Sequence, residues 1–283
     1  MHFTKMNGAG NDFIILDNLD GHIPAGRLPE LARTLCDRHM SIGADGLMAV
    51  ERAQGDADYA MRFYNSDGSM GEMCGNGARC ICRYGYEHGL AGRTQRVETT
   101  AGLVTGERID RRNYRIRLPD PSVLRADYPV ELDGQSIDCA YVELGRPGIP
   151  HAVVPYPGLQ NADEQALFRL GRALRYHPAF PRGANVNFYE LTAPNEVFCR
   201  TWERGVEDFT YACGTGSGSL AAVLTVKELC KGPSIRVRTR GGVLTVDVLR
   251  DGKLILDLLL TGPAELVCEG DTPDETEPHG HAD

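Results

Sequence analysis

The hydrophobic pattern of the chain alternates between short β-like runs and two stretches of small and apolar residues, each preceded by a Cys-Gly step. The polar loop Asn7-Gly8-Ala9-Gly10-Asn11-Asp12 leads into Phe13-Ile14-Ile15-Leu16-Asp17, an apolar run of the length of a buried strand. Over residues 29–38, Leu31, Leu35 and Cys36 share one helical face. A turn over 41–46 precedes a second strand candidate, Leu47-Met48-Ala49-Val50, and a third over 59–64 ends at the turn Asn65-Ser66-Asp67-Gly68. Cys74-Gly75-Asn76-Gly77 then opens a predicted helix over 78–84, and three or four strand candidates follow over 96–118.

After the Pro-rich break Pro119-Asp120-Pro121 the pattern resembles what came before. Strand candidates over 136–144 and 152–154 precede a helix over 162–174. Strands over 186–191 and 197–202 lead to Cys213-Gly214-Thr215-Gly216 and a second predicted helix over 217–224. Val97, Thr99, Gly102 and Thr105 recur as Val237, Thr239, Gly242 and Thr245 at a constant offset of 140, and the two Cys-Gly steps are offset by 139. A correlated offset in both features reads as a duplication. The expected organisation is two halves, 1–118 carrying Cys74 and 119–268 carrying Cys213, with the last strand a candidate to return to the first half. A pseudo-two-fold between them would set the two helix starts face to face across a cleft. Residues 269–283, acidic and without periodicity, read as a disordered tail.

Composition narrows the function classes. With 283 residues, 42% hydrophobic and 24% charged, the chain reads as a soluble globular protein with room for two cores. A net charge of −9 argues against a general nucleic-acid binder. No run approaches the ~18 uninterrupted apolar residues of a membrane span, and the first residues lack the apolar centre of a signal peptide. A cytoplasmic protein with no membrane partner is expected. Nine irregularly spaced cysteines read as free thiols in a reducing compartment.

Among these, Cys36, Cys80, Cys82, Cys139, Cys199, Cys230 and Cys268 fit the usual role of a free cysteine as a small core residue. Cys74 and Cys213 are surrounded by polar residues and glycine. A thiol at the first turn of a helix meets the positive end of the macrodipole, which favours thiolate. Two such thiols suggest an acid and a base serving one small molecule. Backbone amides at Gly75, Asn76, Gly214 and Thr215 would hold a carboxylate and stabilise the enolate-like charge that develops when the neighbouring carbon loses its proton. Return of a proton to the opposite face inverts the stereocentre. Cys74, Cys80 and Cys82 lack structural zinc spacing, Gly75-x-Gly77 lacks the third glycine of a dinucleotide loop, and no Walker-type loop occurs. The expectation is chemistry without metal or cofactor.

With these residues in hand, the chain resembles the diaminopimelate epimerase family along nearly its whole length. Asn7-Gly8-Ala9-Gly10-Asn11-Asp12-Phe13 is similar to that family's opening loop and Ile42-Gly43-Ala44-Asp45-Gly46-Leu47 to its second signature. Phe63-Tyr64-Asn65-Ser66-Asp67-Gly68-Ser69 with Cys74-Gly75-Asn76-Gly77-Ala78-Arg79-Cys80 resembles one active-site block. Glu203-Arg204-Gly205-Val206-Glu207-Asp208, with Thr210 and Ala212-Cys213-Gly214-Thr215-Gly216, resembles the other. The resemblance implies an α+β fold of two pseudo-symmetric domains, each a curled, mainly antiparallel sheet around a central helix. It implies epimerisation of LL- to meso-diaminopimelate without pyridoxal phosphate, in the making of lysine and peptidoglycan precursors, by a protein that is commonly a homodimer. Carried over by position, Cys74 and Cys213 are the acid–base pair, with Glu203 and His151 near the thiols and setting their protonation. Asn11, Asn65, Asn185 and Arg204 hold the rest of the substrate, Arg204 as partner of the second carboxylate.

One segment departs from the family pattern. Where the family usually shows Gly-Asn-Pro-His, this chain reads Gly145-Arg146-Pro147-Gly148-Ile149-Pro150-His151, with an insertion and no Asn. That departure motivates a second reading, a racemase of another polar amino acid such as histidine. A third, of a different class, is a non-catalytic binding or redox protein that uses Cys74 and Cys213 as a switch.

Overall fold

A computed structural model of the chain describes residues 1–71 and 74–273. The chain divides into two compact units: Met1–Ile116 together with the segment from Pro263 onward, and Arg117–Gly262. The sequence suggested a division at 118/119 and an end of the second half at 268; the units change over two and six residues earlier.

In the first unit, β1 (His2–Asn7) and β2 (Asp12–Asp17) form an antiparallel pair. The chain then passes through α1 (Leu28–Leu35) to β3 (Gly46–Glu51), parallel to β2, and doubles back in β4 (Tyr59–Asn65). Helix α2 (Gly75–Glu87) leads to β5 (Thr94–Thr99), parallel to β4, and β6 (Gly102–Arg108) and β7 (Asn113–Arg117) extend the sheet antiparallel. Both parallel steps are made by a helix, as a parallel pair requires a long crossover. The two helices cover opposite faces, which explains the unbroken apolar run of β2. Ile14, Leu16, Leu47 and Ala49 pack with Leu28, Leu31, Ala32 and Leu35 of α1. The alternate residues Phe13, Ile15, Met48 and Val50 pack with Cys80, Ile81 and Tyr84 of α2.

The second unit has strands β8 (Pro121–Arg125), β9 (Val130–Leu132), β10 (Gln135–Ile137), β11 (Ala140–Leu144) and β12 (Ile149–Pro155). Helix α3 (Glu164–Arg175) then precedes β13 (Asn185–Ala193), β14 (Glu196–Glu203) and β15 (Asp208–Thr210). Helix α4 (Gly214–Val226) leads to β16 (Ser234–Thr239), β17 (Gly242–Asp251) and β18 (Leu254–Pro263). Its topology repeats the first. β11 and β12 are antiparallel, β12 and β13 parallel across α3, β13 and β14 antiparallel, β14 and β16 parallel across α4, and β17 and β18 follow antiparallel. The outer neighbour of β11 is β8. The outer neighbour of β1 is β19 (Glu265–Asp271), which returns from the far end of the chain. The repeat reaches individual bonds: the Thr99 hydroxyl donates to the Gly102 carbonyl at 2.7 Å, and the Thr239 hydroxyl to that of Gly242 at 2.9 Å.

Helices α2 and α4 are buried almost all round, Gly75–Gly85 in one and Gly216–Thr225 in the other. A helix without an exposed face is a central helix, so each unit is a mainly antiparallel α+β sheet wrapped on one.

Three expectations need correction, and one strand is new. The candidate strand over 136–144 is broken at Asp138 and Cys139, because the Cys139 carbonyl accepts from Tyr128 N–H at 2.7 Å instead of continuing one ladder. β1, which the sequence left unassigned, is a strand paired on both sides. Glu269, Gly270 and Asp271 are not tail but the end of β19, where they pair with Thr4, Phe3 and His2; the rest of the expected tail from residue 274 lies outside the described residues. Cys268, expected in a core, is exposed on that strand.

Candidate active site

Each cysteine is the extended N-cap residue of a central helix, and the Cys213 sulfur also accepts from a helix amide. Cys74 has φ −120° and ψ 121°, Cys213 φ −116° and ψ 117°. The first helical bond in each unit returns to the thiol residue's own carbonyl, from Ala78 N–H at 2.7 Å and from Ser217 N–H at 3.0 Å. The amides before these, of residues 75–77 and 214–216, lack an intrahelical acceptor by construction, which makes both helix starts suitable for an anion.

Around Cys74, strand ends converge. β2 begins at Asp12, β3 begins beside it at Gly46, and β4 ends at Asn65 opposite Gly46. The Cys74 thiol donates to Asn11 Oδ1 at 3.3 Å. The Asn11 amide donates in turn to the Asp45 carboxylate, and Asp45 accepts from Asp12 N–H at 3.2 Å. Arg38 binds Asp12 and Asp45, each at 2.7 Å, and Lys5 lies 3.2 Å from Asp12. Burial alone would raise the Asp12 pKa; the hydrogen bonds from Arg38 and Lys5 and their charges outweigh it and hold the carboxyl below its ordinary value. Two cations and two carboxylates therefore cancel in this cluster. Asn65 is half-buried, its side-chain amide donating to Ser69 Oγ at 3.0 Å. Asn76 is buried, and its Oδ1 accepts from Arg79 Nη2 at 2.9 Å. Gly8 allows the β1–β2 loop to reach this turn, since a Cβ there would meet the Asn76 carbonyl at 2.7 Å.

Around Cys213 the same strand ends carry different groups. His151 of β12 pairs in register with Asn185 of β13, and Glu203 ends β14. Cys213 is only 6% exposed, deeper than its polar sequence context suggested. Its sulfur accepts from Gly216 N–H at 3.4 Å and lies 3.6 Å from Thr215 Oγ1. Glu203 accepts from Thr210 Oγ1 at 2.8 Å. Asn185 uses its amide on the backbone, donating to the Pro150 carbonyl at 3.2 Å and accepting from Arg204 N–H at 2.8 Å, which places Arg204. Arg204 is exposed and donates to the Arg182 carbonyl at 3.2 Å.

His151 is fully buried. Burial, then the Arg204 charge, pushes its pKa down to about 3, so the imidazole is neutral. Asn187 fixes the tautomer: its Nδ2 donates to the Ala152 carbonyl at 3.0 Å and stands 3.2 Å from His151 Nδ1. A donor there makes Nδ1 the acceptor and leaves the proton on Nε2. Asn187, whose Oδ1 accepts from Thr201 Oγ1 at 3.0 Å, and Asp45 are the parts of the site that the sequence did not point to. Asp45 stands inside the second signature and Asn187 in the strand candidate over 186–191, but nothing local marks either as a partner of Asn11 or His151. Burial pushes the thiols of Cys80, Cys82 and Cys199 up to about 12, so they stay protonated. Arg146 lies in the β11–β12 turn between Gly145, with φ +89°, and Pro147.

The family model for diaminopimelate epimerase matches residues 3–116 and 146–267. The chain belongs to the diaminopimelate epimerase family. It is 36% identical to a diaminopimelate epimerase of Aquifex aeolicus strain VF5 over 97% of this chain and 99% of that one. It is 39% identical to a diaminopimelate epimerase of Desulforudis audaxviator over 95% and 98%. Among solved structures, a PhzF-family phenazine biosynthesis protein of Bacillus anthracis has the same fold, with a TM-score of 0.74 at 16% identity, covering 96% of this chain and 99% of that one. A hydroxyproline epimerase of Agrobacterium vitis superposes with a TM-score of 0.68 at 19% identity over 95% and 91%. In the diaminopimelate epimerase family model, the stretch left unmatched, 117–145, holds β8 to β11. No helix among the described residues is long and apolar enough to cross a membrane.

Proposed function

We propose that the protein epimerises LL-diaminopimelate to meso-diaminopimelate with Cys74 and Cys213 as its acid–base pair and without a cofactor. The observation that carries this reading is the family match over both Cys-Gly blocks, joined to the shared backbone geometry of the two thiol caps. The thiolate sulfur of one cysteine takes the proton from the carbon beside a carboxylate. The electron pair delocalises onto the carboxylate oxygens, where amides of Gly75, Asn76, Gly214 and Thr215 stabilise the added charge. The thiol of the other cysteine then gives its proton to the opposite face, and the two sulfurs exchange protonation states. Asn11, Asn65, Asn185 and Arg204 hold the remainder of the substrate, Arg204 through its charge. Neutral His151 and Glu203 set the protonation of Cys213. The family resemblance alone supports a homodimer in the cytoplasm, which sedimentation of the purified protein and fractionation of cells would check.

The test is exchange of the α-proton of LL-diaminopimelate in deuterated buffer, followed by NMR with fully reduced protein. Deuterium incorporation together with appearance of the meso isomer is expected, and no exchange would sink the proposal. Cys74→Ser and Cys213→Ser should each lower epimerisation by at least ~10²-fold, the scale of a matched acid or base. Histidine and other polar amino acids in the same assay should exchange far more slowly.

A further inference from the structure

Arg79 stands one turn inside α2 and is fully buried, at 0% exposure. Its guanidinium donates to Asn76 Oδ1 at 2.9 Å, to the Gly75 carbonyl at 3.3 Å and to the Pro263 carbonyl at 3.4 Å. All three acceptors are neutral, and among the described residues no carboxylate forms an ion pair with it. A buried guanidinium is ordinarily matched by a carboxylate, and its neighbour Arg83 follows that rule with Glu87 at 2.9 Å. Burial works against the Arg79 charge, but a guanidinium keeps its proton in a protein regardless.

Among the described residues of this unit, the other charged groups joined to the Cys74 side cancel. From β1 comes Lys5, from the start of β2 Asp12, from the α1–β3 loop Arg38 and Asp45, all joined in one neutral cluster that reaches Cys74 through Asn11. On its own helix, Cys80 and Cys82 are protonated. Among these described groups, the charge without an ion-pair partner is that of Arg79. The second unit offers a contrast within one chain. Counting from the thiol, the position equivalent to Arg79 is Gly218, where even a Cβ would meet Leu118 Cδ1 at 2.4 Å. With glycine at that position, this charge belongs to the Cys74 half alone.

We infer that Arg79 is a positioning residue of the catalytic half built on Cys74: its fork holds the Gly75–Asn76 turn in place, and its unpaired charge favours the Cys74 thiolate. The inference rests on the reading of Cys74 as a catalytic thiol. A plain anchoring role, through the Pro263 carbonyl, is the alternative, and the experiment separates the two. In protein carrying Cys213→Ser, the rate of Cys74 alkylation by iodoacetamide is followed against pH by mass spectrometry of the Cys74 peptide. No substrate takes part, so failure here is distinct from failure of the epimerase reading. Arg79→Gln should slow alkylation at pH 7 about tenfold, because loss of a near cation raises a thiol pKa by about one unit or more. Arg79→Lys, which keeps the charge, should stay within about threefold of the parent. An unchanged profile in folded Arg79→Gln, or a fall in Arg79→Lys as deep as in the glutamine variant, overturns the inference. If Arg79→Gln does not fold, Arg79→Met, which keeps the apolar stem and removes the charge, takes its place: alkylation slowed about tenfold at pH 7 upholds the inference, and an unchanged profile overturns it.

Discussion

Single residues in this protein act through the groups that fix them. Asn11 presents its oxygen to Cys74 because its nitrogen is committed to Asp45. His151 accepts at Nδ1 because Asn187 donates there. The neutral state of His151 has a measurable consequence. Its folded pKa, about 3, lies below the unfolded value of 6.5. Between those values the unfolded chain binds a proton that the folded chain refuses, so stability falls as pH drops through that window and is unaffected above it. Acidification from pH 7 to pH 5 should therefore cost the parent about 2 kcal/mol more than His151→Asn. Urea unfolding of both at the two pH values checks this, and equal losses would show that the folded imidazole titrates normally.

Elements carry the next level of constraint. The central helix α4 can approach β13 only because residue 216 is glycine: a Cβ there would meet Asn187 Oδ1 at 2.2 Å. Asn187 has nowhere to go, since the same oxygen accepts from Thr201 Oγ1 at 3.0 Å and its nitrogen holds Ala152 and His151. Gly216→Ala should therefore lower stability by about 1–3 kcal/mol, the usual cost of overpacking, and lower turnover with it. Gly92→Ala, at a site where nothing lies within 4 Å of the added carbon, should leave both nearly unchanged. Denaturant midpoints and initial rates read the difference. Equal effects of the two substitutions would mean that the α4–β13 approach is loose.

At the scale of the whole molecule, one pattern of strands and helices is used twice, and the two copies differ in how the outer position is filled. In the second unit β8 precedes its partner β11 along the chain. In the first unit the same place is taken by β19, which pairs with β1 from His2 opposite Asp271 to Asn7 opposite Glu265. The return segment also accepts from the first central helix, Arg83 donating to the Ala264 carbonyl at 2.8 Å. Ending the chain after Gly262 should thus accelerate amide hydrogen exchange in β1 and α2 relative to a chain ending after Pro273. Unchanged protection in both elements would show that β19 contributes nothing to the first unit.

What the sequence determined by itself is whatever depends on neighbours along the chain. Cys74-Gly75 and Cys213-Gly214 were legible as helix starts because a polar glycine turn followed by small apolar residues is a local signal. The same holds for β2, β3 and α1, whose apolar spacing is set within ten residues, and for the repeat, which needs only two stretches to be compared. Tertiary structure alone decided whatever depends on residues far apart. The β1–β19 pairing joins segments more than 250 positions apart and needs a folded chain to bring their backbone groups together. Exposed β19 shows no periodicity that would announce it. The partners of Asn11 and His151 come from other strands. The Arg79 charge looks like any helical arginine until the fold closes over it and supplies only neutral acceptors. Local spacing chooses an element; burial and charge at a point are sums over everything that packs there, and only the folded chain performs that sum.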